Sequence, residues 1–235
     1  GLQIRSNHVQ MTYYFLIVEL ALFVAFAIDA IRQHEGKKFW KATGLLVVAA
    51  VIALALNISN LYHTYEYSKD TMRGKSELVY EGDAAQQTSS GLNRDYITQW
   101  SYGIGETWTL LVPNFKGGAS VPLAANETAM KKANPLYSNI YTQLTQYFGE
   151  QPMTSGPVYV GAFVLFLFIL GCFIVKGPMK WALLGATLFS ILLSWGKNFM
   201  PLTDFFIDFV PMYNKFRAVS SILVIAEFTI PLLAI

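Results

Sequence analysis

Five apolar runs separated by polar stretches dominate the 235-residue chain. An α-helix rises about 1.5 Å per residue, so a bilayer core of about 30 Å needs roughly 20 apolar residues. Positions 11–31, 44–61, 158–175, 181–195 and 218–235 meet or approach that length, and each predicts a membrane-crossing helix. A first hairpin with a short lead-in then fills 1–61, a polar insert 62–156 and a second hairpin 157–196. An interfacial segment follows over 197–217, and a last apolar helix over 218–235. The expected fold class is an all-α polytopic membrane protein with about five transmembrane helices and one large extracytoplasmic insert. Gly1 is not a translation start and the last residues stop inside an apolar run, so an internal piece of a longer chain is expected.

Within the insert, seven basic and nine acidic residues nearly cancel. Positions 81–91 are small and polar, which predicts a mobile loop. Tyr137, Ile140, Tyr141, Leu144 and Phe148 fall at helical spacing, so an interfacial helix is expected over 136–148. The stretch 91–120, GLNRDYITQWSYGIGETWTLLVPNFKGGAS, alternates polar and aromatic residues and is punctuated by Gly103, Gly105, Gly117 and Gly118. It is too polar to cross a bilayer and too rich in Trp and Tyr for a plain linker, so any chemistry is expected to involve it. In the interfacial segment Asp204 and Asp208 stand one turn apart, with Leu202, Phe205, Phe206 and Phe209 elsewhere on the turn. That pattern predicts a short amphipathic helix lying on or dipping into the interface.

Composition agrees with the membrane reading. The chain is 54% hydrophobic and 14% charged, with mean hydropathy +0.39. Soluble domains carry about 25% charged residues. A net charge of +2 is too small to point to a nucleic-acid partner. Cys172, the single cysteine, sits in an apolar run and is read as a small packing residue. Charge placement matters more than its sum. RQHEGKKFWK and KGPMK are short basic turns between apolar runs, so both are assigned to the cytoplasm. Parity then places 1–10, 62–156 and 196–217 together on the extracytoplasmic side.

No phosphate-binding Gly-rich loop, GxSxG or HExxH motif is present, and His8, His34 and His63 are far apart. The candidate chemistry is a set of groups on the extracytoplasmic face. Arg5, Arg94, Lys116, Lys215 and Arg217 can hold a phosphate, the arginines in bidentate fashion. Arg217 leads this group because it stands at the mouth of the last apolar run. Asp95, Glu106, Asp204 and Asp208 can accept a proton or bind a divalent cation, the one cofactor considered. Trp100, Tyr102 and Trp108 offer flat faces of the kind a sugar ring packs on. Each has a plainer reading: basic residues meeting lipid phosphates, aromatics forming the interfacial belt, acids on the wet face of a helix. Asp29 is expected to pair with Arg32, while Glu19 and Glu227 lie deeper, where a lone charge costs at least about 2.5 kcal/mol.

The runs NHVQMTYY, TYEYSKDTMRGKSEL, RDYITQWSYGIGETWTLLVPNFKGGAS, SGPVYVGA, LLSWGKNFMPLTDF and PMYNKFRAVSSILVIAEF follow one another through nearly the whole chain. In that order they resemble the YfhO family of bacterial membrane proteins, in its Bacteroidetes form. The resemblance implies a GT-C type fold, found in multi-helix glycosyltransferases that use a polyprenyl-phosphate sugar donor at the extracytoplasmic face of the inner membrane. The implied partners are that lipid-linked donor, membrane lipids, and an envelope glycan, lipid or protein acceptor. Enzymes of this type place a key acid in their first extracytoplasmic loop, which would precede this sequence, so the resemblance assigns no catalytic base here. Two other classes compete. A transporter or flippase would use Glu19 and Glu227 as coupling residues and would show internal repeats; no repeat relates the two hairpins. A non-catalytic subunit would use the insert to hold other proteins.

Overall fold

The computed structural model describes residues 2–6, 8–69 and 92–235. The loop expected at 81–91 and part of the run at 64–78 lie outside the described residues. A short α1 (Leu2–Arg5) precedes the long apolar α2 (Val9–Arg32), whose first turn is capped by His8 Nδ1 accepting from the Met11 N–H at 3.4 Å. At its other end Asp29 takes a 2.8 Å bond from Gln33 Nε2 and not the expected pair with Arg32. Gln33 stands four residues on, over the same face of the helix. His34, in the left-handed region at φ 58°, then reverses the chain. The second helix starts earlier than the apolar run alone suggested, as α3 (Gly36–Ala55), and α4 (Ile58–Lys69) resumes after a two-residue break. No residue of α3 is buried, although its apolar side chains point every way. A helix apolar on all sides is suited to hydrocarbon surroundings.

The insert contributes α5 (Arg94–Thr98), α6 (Glu127–Met130) and α7 (Ser138–Gln143). It also holds a small sheet that the all-α reading lacked. Strand β1 (Gly117–Pro122) runs antiparallel to β2 (Thr145–Tyr147), pairing Gly117 with Tyr147 and Pro122 with Thr145 across an irregular register. The interfacial helix expected over 136–148 is therefore corrected. Helix α7 stops at Gln143, Leu144 turns extended, and the chain joins β1. Leu136 stays 82% exposed and Phe148 73%, so their helical spacing buries nothing, and strand pairing prevails.

The second half holds α8 (Ala162–Ile174), α9 (Pro178–Ser194), α10 (Met200–Phe209) and α11 (Val224–Ala234). Among the described residues α2 and α3 are long and apolar enough to cross a membrane, and α9 with 196–209 forms a third candidate bent by 108°. The segments Ala162–Ile174 and Val219–Ala234 are apolar but shorter, so two or three candidate crossings stand where five were expected. Helix α2 packs along α9, and α8 and α9 pack on α11. Small and hydroxyl residues make these contacts close, as is usual between helices in apolar surroundings. A Cβ at Gly171 would strike the Leu233 carbonyl, and the Thr187 and Thr229 hydroxyls meet at 2.7 Å.

Three polar segments, distant in sequence, come together at one end of these helices. The Tyr102 N–H donates to the Ser194 carbonyl at 2.8 Å, and the Lys197 N–H donates to Ser101 Oγ at 2.8 Å. The Ser220 N–H donates to the Trp100 carbonyl at 3.1 Å. Gln10 Nε2, at the start of α2, lies 2.7 Å from the Arg217 carbonyl and 3.0 Å from Ser221 Oγ. Thus the start of α2, the end of α9 and the approach to α11 share one end, beneath the insert. Gly196 makes this possible: at φ +46° it has no side chain to collide with Ser101.

Candidate functional site

The stretch around Trp100 is threaded into the protein and does not lie on it. Asn93 caps α5 by accepting from the Asp95 N–H at 2.8 Å, and Ile97, Ser101 and Tyr102 pack inside with at most 2% exposure. Tyr102 is therefore core, against Leu183 and Leu223, and its ring is not a face for a ligand. Burial pushes its phenol up to about 12, so it stays neutral at physiological pH. Its hydroxyl has no hydrogen-bond partner among the described residues. Thr109 stands near enough to favour the ionised form slightly without meeting hydrogen-bond geometry.

Trp100, half-buried, emerges where Tyr102 does not. The Arg217 guanidinium lies 5.3 Å from the Trp100 ring centre and 5.4 Å from that of Tyr96, and its Nη1 donates to the Tyr96 hydroxyl at 2.6 Å. Contacts of this kind are worth about 0.5–1 kcal/mol each when exposed. Their larger effect is to fix the orientation of the fork. Among the described residues no carboxylate pairs with Arg217, which remains exposed with donors to spare. The backbone on either side of it is strained. Met212 and Ala218 both sit in the left-handed region, at φ 65° and 58°. Each costs about 1–2 kcal/mol in a residue with a Cβ. Gln10 helps hold the second of these turns through the Arg217 carbonyl.

Arg94 is differently placed. Its guanidinium bridges two carboxylates of α10, pairing with Asp204 and, at 2.7 Å, with Asp208. Those hydrogen bonds, led by Asp208, hold it protonated even more firmly than an ordinary arginine. Asp204 and Asp208 are the wet face of α10, and Arg94 staples that face to the insert. Lys215 lies half-buried in the turn before Arg217; Asp95 is exposed beside Arg94, and Arg5 is exposed on α1. Glu19 on α2 and Glu227 on α11 are exposed on their helices.

The acids of the insert form the second half of the site. Glu106 is 3% exposed. Its carboxylate accepts from the Gly103 N–H at 2.7 Å, the Tyr147 hydroxyl at 2.5 Å and the Glu150 N–H at 3.2 Å. Burial first, and Glu106 second, push the Tyr147 phenol upward. Gly149 is required because a side chain there would strike both Glu106 and Tyr147. Glu106 thus clamps the turn 147–151 to the Gly103–Glu106 turn within the insert. That turn presents Glu150, an exposed carboxylate oriented by Asn198 Nδ2 at 2.8 Å. The next residue, Gln151, accepts from Ser220 Oγ at 3.0 Å, and Ser220 in turn bonds the Trp100 carbonyl. The carboxylate and the Arg217 platform are therefore tied together through Gln151 and Ser220. Lys116 lines a small cavity of about 10 Å³ with Tyr102, Glu106 and Tyr147. Among the described residues no group of three His, Cys, Asp or Glu gathers to hold a metal ion.

An open apolar groove of about 740 Å³ runs between α2 and α9, lined from Ile28 and Trp181 to Tyr13, Phe206 and Val210. Its Tyr13 end touches the platform: the Tyr13 ring lies 5.1 Å from that of Phe216, beside Arg217. Arg217, Trp100 and Glu106 are named by sequence reasoning. It missed Tyr96, Tyr147, Glu150, Asn198 and the groove, because these depend on contacts between segments far apart in the chain. Comparison with family models, curated proteins and solved structures yields no match for this chain.

Proposed function

We propose that this chain is part of a GT-C type, YfhO-like glycosyltransferase of the bacterial inner membrane, with its active face in the periplasm. In this reading the five apolar segments all cross, the bent and shorter ones being completed by neighbouring elements. The donor is a sugar carried on a polyprenyl phosphate, and the acceptor is a hydroxyl of an envelope glycan, lipid or protein. The observation that carries the proposal is the exposed, aromatic-stacked Arg217 at the end of an apolar groove. The groove has the size and character for a prenyl tail, and the guanidinium has the fork for a phosphate.

In this reading the base is Glu150, linked to the Arg217 platform through Gln151 and Ser220. Glu150 takes the proton of the acceptor hydroxyl, whose oxygen forms a bond to the anomeric carbon. The bond from that carbon to the phosphate oxygen breaks, and the lipid phosphate leaves with the electron pair. Arg217 stabilises the charge that grows on it. Trp100 keeps the guanidinium in place.

In membranes carrying the full-length protein, transfer of radiolabelled sugar from polyprenyl-phosphate donors to an envelope fraction tests this reading. Replacing Glu150 by Gln is expected to lower transfer by 10²-fold or more, the upper part of the usual range for a general base, while donor binding stays. Unchanged transfer would remove Glu150 from the scheme. A flippase for the same lipid is the second reading, favoured by the groove being open and apolar. Movement of the lipid without sugar transfer would decide for it.

A further inference from the structure

The insert carries an apolar ridge that none of the described residues covers. Trp108 is 58% exposed, Val112 44%, Phe115 48% and Phe148 73%. They are neighbours by backbone connection. The Val112 N–H bonds the Trp108 carbonyl at 2.8 Å, and the Phe115 N–H bonds Val112 at 3.3 Å. The Phe148 N–H bonds the Lys116 carbonyl at 2.8 Å, and its ring lies over Gly117. A soluble face would not expose four large apolar side chains together without a partner.

The height of the ridge is fixed by one contact. Trp195, the cap residue just after α9, donates from Nε1 to Thr107 Oγ1 at 2.9 Å. A Trp at the end of an apolar helix marks the level where hydrocarbon gives way to headgroups. Thr107 immediately precedes Trp108, so the ridge starts at that level and is continuous with the helix end. We infer that Trp108, Val112, Phe115 and Phe148 insert into the outer headgroup–acyl boundary of the bilayer, so that the insert is anchored to lipid. This holds whichever ligand the Arg217 platform takes. It places that platform at lipid-headgroup depth, so its ligand is drawn from the membrane plane and not from bulk water.

The test is tryptophan fluorescence of the full chain in nanodiscs of phosphatidylcholine, with and without lipid brominated near the glycerol end of its acyl chains. Trp108→Phe is compared with the unaltered protein, and the difference spectrum reports Trp108. The expected difference is blue-shifted, lost in brominated lipid and insensitive to aqueous iodide. A Trp108 signal quenched by iodide and untouched by bromine would overturn the inference. A signal sensitive to neither would also overturn it, showing the ridge covered by protein. Phe148→Trp in a Trp108→Phe background gives an independent reading from β2's end of the ridge, with the same two outcomes.

Discussion

Replacing Glu106 by alanine is expected to loosen the whole insert. The carboxylate is buried and satisfies three donors: the Gly103 N–H, the Glu150 N–H and the Tyr147 hydroxyl. Each donor left unpaired in a buried place costs about 1–3 kcal/mol. Tyr147 and Glu150 are near enough to the surface for water to answer part of that. A net loss of about 3 kcal/mol is the central expectation, which is more than a hundredfold in an opening equilibrium. Limited proteolysis of the insert in nanodiscs reads that equilibrium directly. Glu106→Gln keeps an acceptor for the two backbone donors and should cost about 1 kcal/mol. Proteolysis of the alanine variant at the unaltered rate would show that Glu106 is not the clamp described.

Arg217→Ala carries the largest expected effect on activity. Its side chain is exposed, so folding loses little more than two surface stacking contacts and one exposed hydrogen bond to Tyr96. The Gln10 bond to its backbone carbonyl does not involve the side chain. Expression and thermal stability should therefore stay within about 1 kcal/mol of the unaltered protein. Transfer from a polyprenyl-phosphate sugar should fall by about 10²–10³-fold, the usual effect of removing one preorganised donor to a developing charge. Arg217→Lys separates charge from geometry. It keeps a cation but loses the planar fork and the fit over Trp100, so its activity should lie between the two. Equal transfer by all three proteins would remove Arg217 from the site.

Much of this arrangement is legible in the sequence because membranes restrict what a chain can do. Two short basic turns predict a common side for the polar segments, and three of those segments do meet in the fold, through Gln10, Trp100, Ser194 and Ser220. The prominence of Arg217 follows from its place before the last apolar run. The details that escape are those set by long-range contacts. Glu106 and Glu150 are 44 residues apart and look like two unremarkable acids until Gly149 lets the turn close over the first. Periodicity at 136–148 points to a helix, yet β1 offers that segment a strand to pair with, and Tyr147 a buried partner. Arg94 reads as a phosphate ligand by type, but Asp204 and Asp208, more than 100 residues on, already hold it. The angle of the bend between α9 and α10 depends on Gly196, whose freedom at positive φ the turn requires.

The most direct test of the common location of the polar segments is cysteine accessibility in intact spheroplasts. Single cysteines replace Glu127 in the insert, Met212 before Arg217, Lys38 in the first basic turn and Lys176 in the second, with Cys172→Ser as background. A membrane-impermeant maleimide should label Cys at 127 and 212 in intact cells, and Cys at 38 and 176 only after lysis. Labelling of 127 and 212 from opposite sides would contradict a site built from Arg217 and the insert.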